Sequence, residues 1–404
     1  MRATHPLRLP TSCTLRRLSA LTVVTLALTI SSCSLREGTQ SLAITSLTAQ
    51  EADAVKPQDS ISDMDNQPLS TASGVVTMST SYVAGGIGST AKEMATTVVS
   101  RERSTDKFQW AVSIKPAVAD QERTEYTNSA QSAMNNAMGR SSTGSVVVSP
   151  DGRHLSLILL PAEQQAGESA ADLRTHIVAL EAKTGKTVRD ATVSGIVLGQ
   201  ALTNSSLVVE TAQNYFPAGS GKGILTTFSL TDASAQPFSF PTDKWLVGAT
   251  RENLVLAPNR LPDDCVYGCS LTTVSLVSTE GTTTKSVSGV TAVHPGGWIH
   301  RFADPKAASA LHLRSKAATE EERKAISSSW ETLEQQLVNP SIMKTIDITG
   351  KDTFERGVPT GPGLLVKQEV PTGNGSTESK PAFWLSSADD GHPHTENLEQ
   401  FTDD

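Results

Sequence analysis

From Gly144 onward the chain is written in short apolar runs separated by turn residues. "GSVVVSPDGRHLSLILL" (Gly144–Leu160) is an apolar run, an Asp151-Gly152 pair and a second apolar run. β-Branched and Leu residues on either side of Asp-Gly predict a hairpin. "HIVALEAKTGKTVRDATV" repeats the pattern around Thr184-Gly185. Two hairpins make four short strands, and the unit recurs. Its second turn returns at Asp232-Ala233 and at Glu280-Gly281, 48 residues apart each time. Thr349-Gly350 in "DITGKDT" is the next member if an insertion precedes it. The first turn recurs near Gly152, Ser205, Asn253 and Gly296. "LGQALTNSSLVVE" and "VGATRENLVLAP" match closely: Gly, four residues, Asn, then an apolar strand. "GPGLLVKQEV" (Gly361–Val370) reads as a further copy.

Repetition of a four-stranded unit every 40 to 50 residues is the signature of a β-propeller. The expected fold is therefore all-β, with about six four-stranded blades over residues 74–395 and a range of five to seven. The sixth blade is expected to join both chain ends, from "GVVTMSTSYVAGG", "FQWAVSI" and "AFWLSSAD". Trp110, Trp245, Trp298 and Trp384 each begin an apolar stretch and are expected to pack between blades.

Two segments change period. In "TEEERKAISSSWETLEQQL" (Thr319–Leu337), Thr319 and Glu322 form a capping box. Ile326, Trp330, Leu333 and Leu337 fall on one helical stripe. The stripe is expected to pack on the propeller or to dock a partner. A second helix is expected near 120–138, where Ala130, Ala133, Met134, Ala137 and Met138 share a face before Gly139.

The N-terminus is different again. Arg2, Arg8, Arg16 and Arg17 precede a 13-residue apolar run, Leu18–Ile30. That run is shorter than the roughly 20 residues a helix needs to span a bilayer core, and it reads as an export signal. Ile30-Ser31-Ser32-Cys33 resembles a bacterial lipobox. The resemblance implies that residues 1–32 are a removed signal peptide. It implies as well that Cys33 carries a thioether-linked lipid with palmitate-type acyl chains. Residues 33–73 are rich in Ser, Thr, Gln, Asp and Ala and read as a flexible polar tether. Residues 396–404 read as an acidic tail.

Charge narrows the partners. The first 32 residues hold four of the 34 basic residues and none of the 42 acidic ones, which leaves the remainder at −12. An acidic surface offers no electrostatic footprint for nucleic acid. Beyond Cys13 and Cys33 only Cys265 and Cys269 remain, in "CVYGC". Outside the cytoplasm this close pair is expected to be a disulfide.

The search for chemistry returns little. "GSGKG" (Gly219–Gly223) lacks the outer Gly and the Ser or Thr of a phosphate loop. His392 and His394, with Asp389, Asp390 and Glu396, are weighed as metal ligands, but no metal site is expected. His294 and His300 bracket a Gly-Gly pair and read as turn and strand residues. "SPDGRHL" and "IVALEAKTGKTV" resemble the repeats of the quinoprotein-like (PQQ-like) propeller superfamily, over about residues 144–369. The other blades depart from it, with "LTDASAQ" where Thr-Gly-Lys would stand. The resemblance implies a propeller. Its dehydrogenases use a vicinal cysteine pair, whereas Cys265 and Cys269 are four positions apart, so neither enzyme activity nor a cofactor is expected. In anchor and architecture the chain is similar to the propeller lipoprotein of the outer-membrane protein assembly machinery.

The expectation is a lipid-anchored propeller on the extracytoplasmic side of the cell membrane. It would act as a non-enzymatic binding or scaffold module for an envelope protein. The alternatives are a solute-binding lipoprotein and, behind it, a quinone-dependent oxidoreductase.

Overall fold

The computed structural model describes residues 41–55, 68–82, 94–119, 145–161, 169–213, 223–258, 271–358, 361–372, 376–396 and 398. The signal segment, Cys33, Cys265, Cys269 and the helix expected near 120–138 lie outside the described residues.

The described strands form six antiparallel meanders, each built from consecutive chain segments. Blade 1 is Leu69–Ser70, Val75–Tyr82, Met94–Arg101 and Phe108–Lys115. Blade 2 is Val146–Val148, His154–Ile158, Arg174–Glu181 and Thr187–Ser194. Blade 3 is Ile196–Leu202, Ser206–Ala212, Gly223–Ser229 and Phe238–Thr242. Blade 4 is Trp245–Ala249, Leu254–Ala257, Thr272–Val277 and the first half of Thr283–His294. The second half of that strand opens blade 5, which continues with Trp298–Phe302, Gln335–Asn339 and Lys344–Ile348. The handover falls at Val290, which pairs with both Thr272 and Arg301. Blade 6 is Thr353–Val358, Gly361–Pro371 and Thr377–Ser386, with a further bridge from Trp384 to His394.

Both faces of these sheets are buried, which is why the strands read as apolar runs rather than as clean alternations. Side chains on a strand point alternately to either side. In blade 3, Leu207 and Val209 join a cluster with Ile158 and Ile177 of blade 2, while Val208 joins Leu246 and Leu254 of blade 4. The core is thus a series of layers between neighbours. Val98 and Val112 meet Leu155 and Leu180 between blades 1 and 2. Trp298 and Leu337 meet Leu364 and Leu385 between blades 5 and 6. Trp110, Trp245 and Trp298 are buried in these layers, and Trp384 is half-buried.

The structure corrects four expectations. First, "AFWLSSAD" does not complete the sheet of "GVVTMSTSYVAGG" and "FQWAVSI". Its strand pairs with Gly361–Pro371, the segment next to it in the chain, because a short loop costs little closure entropy. Second, the hairpin turn of blade 5 is at Pro340–Met343, and Thr349-Gly350 links blades 5 and 6. The insertion lies inside blade 5 and moves the turn with it.

Third, the helix begins at the expected Thr319–Glu322 capping box but spans Glu320–Glu331. Leu333 lies beyond it and Leu337 is in a strand, paired with His300 and Ile346. Ladder bonding on both sides wins over the helical period there. A second helix, Pro305–Ala317, precedes it, capped by the Asp304 carboxylate with Pro at its first position; Asp-Pro is a legible start signal. Fourth, the tether holds paired structure. Ala43–Leu47 adds a fifth strand to the outer edge of blade 1, against Ala111–Lys115. Thr48 and Glu51 then form a capping box for a short helix, Ala49–Ala54, which Asp53 ties to Arg101 at 2.5 Å.

Candidate functional site

Meandering sheets place their first and third connections on one face and their second connections on the other. The first connections are tight, and four of them share one device. A buried hydroxyl residue ends the inner strand: Thr71, Ser149, Thr203 and Thr250. Its N–H donates to the carbonyl that closes the turn, of Gly74, His154, Ser206 and Asn253. Its hydroxyl accepts an N–H from the same residue, at 3.2, 3.0, 2.9 and 3.0 Å respectively. Such side-chain bonds replace ladder bonds lost at the bend. Blade 5 solves the turn differently, with His294-Pro295-Gly296-Gly297. Gly296 and Gly297 sit at φ of +76° and +80°, a region open to glycine.

These turns also bind one another. Ala72 N donates to Gly152 O, Asp151 N to Asn204 Oδ1, and Asn204 N to Arg251 O. Arg251 donates through Nε and Nη2 to Ser387 O, at 3.3 and 3.1 Å, and through Nη2 to Asp389 O. Gly152 of blade 2 abuts Pro362 of blade 6, and Gly296 abuts Ser387. Blades 2 and 6, like blades 4 and 6, are not neighbours. Contacts between turns of blades that are not neighbours place these groups near the axis of the ring.

A second ring of contacts lies further out on the same face. Trp110, Arg189 and Phe240 are each the third residue of an outer strand. Trp110 Nε1 donates to Ala182 O at 2.9 Å, and Arg189 Nη1 donates to Ala233 O at 2.7 Å. The rings of Trp110 and Phe240 lie against Gly185 and Gly281 in the next blade's turn. Deeper in, the buried Glu210 carboxylate of blade 3 accepts the Leu246 N–H of blade 4 at 2.9 Å. Gln200 donates to Ser145 O of blade 2 at 2.8 Å.

The opposite face is irregular. Its connections within blades 1 to 5 cover 83–93, 159–173, 213–222, 258–271 and 303–334, from 10 to 32 residues. In the same blades the first connections on the tight face have three to five residues and the third connections four to eight. Blade 6 extends towards the loop face as a two-stranded ribbon, Gln368–Pro371 against Thr377–Lys380, exposed on both strands.

The helical pair makes up most of the 303–334 connection. Ile326 and Trp330 are buried among Phe302, Ala308 and Leu311, with Leu271 and Leu333 packed alongside. The Trp330 and Phe302 rings are 5.4 Å apart. Of the two expectations for the stripe, packing on the protein is the one met by Ile326 and Trp330, and Leu337 is fully buried in its strand. Cys265 and Cys269 lie in the 258–271 connection, outside the described residues.

Of the histidines singled out in the sequence, His294 and His300 come together, whereas His392 and His394 do not. His394 Nε2 meets Asp389 Oδ2 at 2.7 Å, and its ring stacks on Trp384 at 4.2 Å. His392 points elsewhere, to Asp390 and Lys344. Among the described residues no group of three or more His, Cys, Asp or Glu side chains is placed to hold a metal ion. His294 and His300 both face Phe354, at 4.9 and 5.2 Å. His300 Nε2 bonds Gln335 Oε1 at 2.8 Å. Burial pushes the His300 pKa down to about 4, against a weaker upward pull from Gln335 and Asp352. Arg251, Gln200 and Glu210 were not legible as partners across blades. The only signal was the matched "LTNSS" and "ATREN" turns.

Six antiparallel meanders set around an axis, most of them four-stranded, define this chain as a β-propeller. No family model and no curated protein matches it. Among solved structures it is similar to the β-propeller domain of the Trilobed protease from Pyrococcus furiosus, at 10% identity and a TM-score of 0.34. That match covers 80% of this chain and 86% of that one. TolB from Acinetobacter baumannii is similar at 10% identity and a TM-score of 0.30, over 76% and 62% of the two chains. Pyrococcus horikoshii acylaminoacyl peptidase follows at 9% and 0.36 over 83% of this chain, which spans about half, 52%, of that protein.

Proposed function

We propose that this propeller is a binding or scaffold module, lipid-anchored through Cys33 on the extracytoplasmic side of the cell membrane, and that it engages an envelope protein through its loop face. The observation that carries this reading is the asymmetry of the two faces. Rigid scaffolds present recognition residues on long, variable loops, and loops of this length inside a compact domain are seldom idle. On the tight face the hydroxyls of Thr71, Ser149, Thr203 and Thr250 and the side chains of Asn204 and Arg251 are committed to caps and blade contacts. The lipobox-like Ile30–Cys33 supports the anchor, and the −12 charge of the chain beyond residue 32 argues against nucleic acid. The module is taken to be non-enzymatic, with its cysteine pair as a disulfide.

The test is capture of the tagged, lipidated protein from membranes in mild detergent, with proteomics and small-molecule mass spectrometry on one eluate. A stoichiometric envelope protein is expected. It should be lost when residues 305–332 are replaced by a short linker and kept when exposed tight-face residues such as Arg153 are changed. An eluate with a bound metabolite and no protein would favour the solute-binding reading. Release of Cys33→Ala into the soluble fraction is the expected result for the anchor.

A further inference from the structure

A ring made of consecutive meanders has a seam where its first and last blades meet. The described strands of blade 1 pair among themselves and with Ala43–Leu47, and those of blade 6 pair among themselves. No sheet strand crosses that seam among the described residues. It is bridged by the packing of Leu69–Ser70 against blade 6 and by contacts between turns at the tight end of the axis.

We propose that Arg251 is the latch that closes the ring and shuts this end of its axis. Its backbone carbonyl, in the first turn of blade 4, holds Asn204 N of blade 3. Its guanidinium reaches past blade 5 to Ser387 O and Asp389 O, just beyond the last strand of blade 6. Ser387 N in turn donates to Pro362 O at 3.0 Å. Pro362 abuts Gly152, and Gly152 O accepts Ala72 N of blade 1. Arg251 thus heads an unbroken path from blade 4 through blades 6 and 2 to blade 1.

The segment it grips matters for blade 6 itself. Asp389 holds His394 through its carboxylate and Gly391 N at 2.8 Å. His394 supplies the outermost backbone pairing of the blade, with Trp384. Arginine suits the task because a planar fork serves two carbonyls at once, which an ammonium does less well. Released, the latch would free the outer edge of blade 6 and uncover the axis while the blade cores stay folded.

Hydrogen exchange on the full chain tests this, comparing wild type, Arg251→Lys and Arg251→Ala. Loss of charge-assisted bonds predicts exchange about tenfold faster or more over residues 384–394 in Arg251→Ala. A smaller rise is expected over 69–76, with 174–194 within about twofold of wild type and Arg251→Lys in between. Unchanged exchange over 384–394 would overturn the latch, and so would a uniform rise across all blades. If Arg251→Ala does not fold, the wild-type Arg251 Nε–H signal decides: slow exchange is expected, and solvent-like exchange would refute the proposal.

Discussion

The two faces of this propeller are made from the same strands and obey different rules. On the tight face, Thr71, Thr203 and Thr250 perform one task at three equivalent positions. On the loop face no two connections have the same length, and one has become a helical pair. The tight face is where blades bind each other, so a change in one turn is felt by its neighbours. The loop face is where blades end independently, so a change there stays local. Repetition marks the part that holds the ring, and divergence marks the part free to acquire a task.

Substitutions can break or sharpen this contrast. The largest effect should come from Gly296→Val. Gly296 has φ of +76° and its Cα faces Ser387 with no room for a Cβ. A loss of about 4 kcal/mol or more is expected by urea unfolding, if the variant folds at all. Trp330→Ala should cost about 3 to 5 kcal/mol, the usual range for a buried aromatic. Because that loss falls on the insertion, circular dichroism should show the helical signal melting before the sheets. A single unchanged transition would mean the insertion is not the separable unit described.

Acid provides the third test. His300 is buried with a pKa of about 4, below its ordinary 6.5. Above pH 6.5 it is neutral folded and unfolded. As the pH falls from 6.5 to 4 the unfolded chain takes up a proton that the folded chain refuses, so stability drops and then levels off. The loss is about 3 kcal/mol in all, and His300→Gln should flatten that limb of the stability curve. Thr250→Val keeps the shape of the turn but leaves the Asn253 N–H without its hydroxyl, at a cost of about 1 to 2 kcal/mol. The smallest effect should follow from replacing residues 214–221 with four Gly and Ser residues, within about 0.5 kcal/mol. A large loss there would overturn the contrast between the faces.

Much of the ring was legible because its turns repeat. Asp151-Gly152, Thr184-Gly185 and Glu280-Gly281 fall between strands as their spacing requires, and Gly152, Gly185 and Gly281 all adopt positive φ. What misled was the insertion. It adds a helical period that continues by chance through Leu333 and Leu337, and only the pairing of Leu337 with two strands shows where the helix has to stop. The short strand at Ala43–Leu47 was hidden for a similar reason. It is only five residues long within a polar stretch, and it is held by backbone bonds to an edge that the sequence alone does not reveal. The inter-blade links of Gln200, Glu210 and Arg251 join residues 36 to 138 positions apart. Such distances leave no local pattern to read.

The strand Thr283–His294 serves two blades without a break. A hinge needs residues free to absorb a change in φ and ψ, and the register shifts beside the handover leave Ser288, Gly289 and Thr291 outside the ladders, with Gly289 at φ of +73°. Bending of blade 4 against blade 5 should therefore concentrate at Gly289. The other blades are joined by short connections between separate strands, such as Gly195, Asp243-Lys244 and Thr349–Asp352. Under a pulling force the shared strand would pass load directly from blade 4 to blade 5, with Gly289 as its point of give.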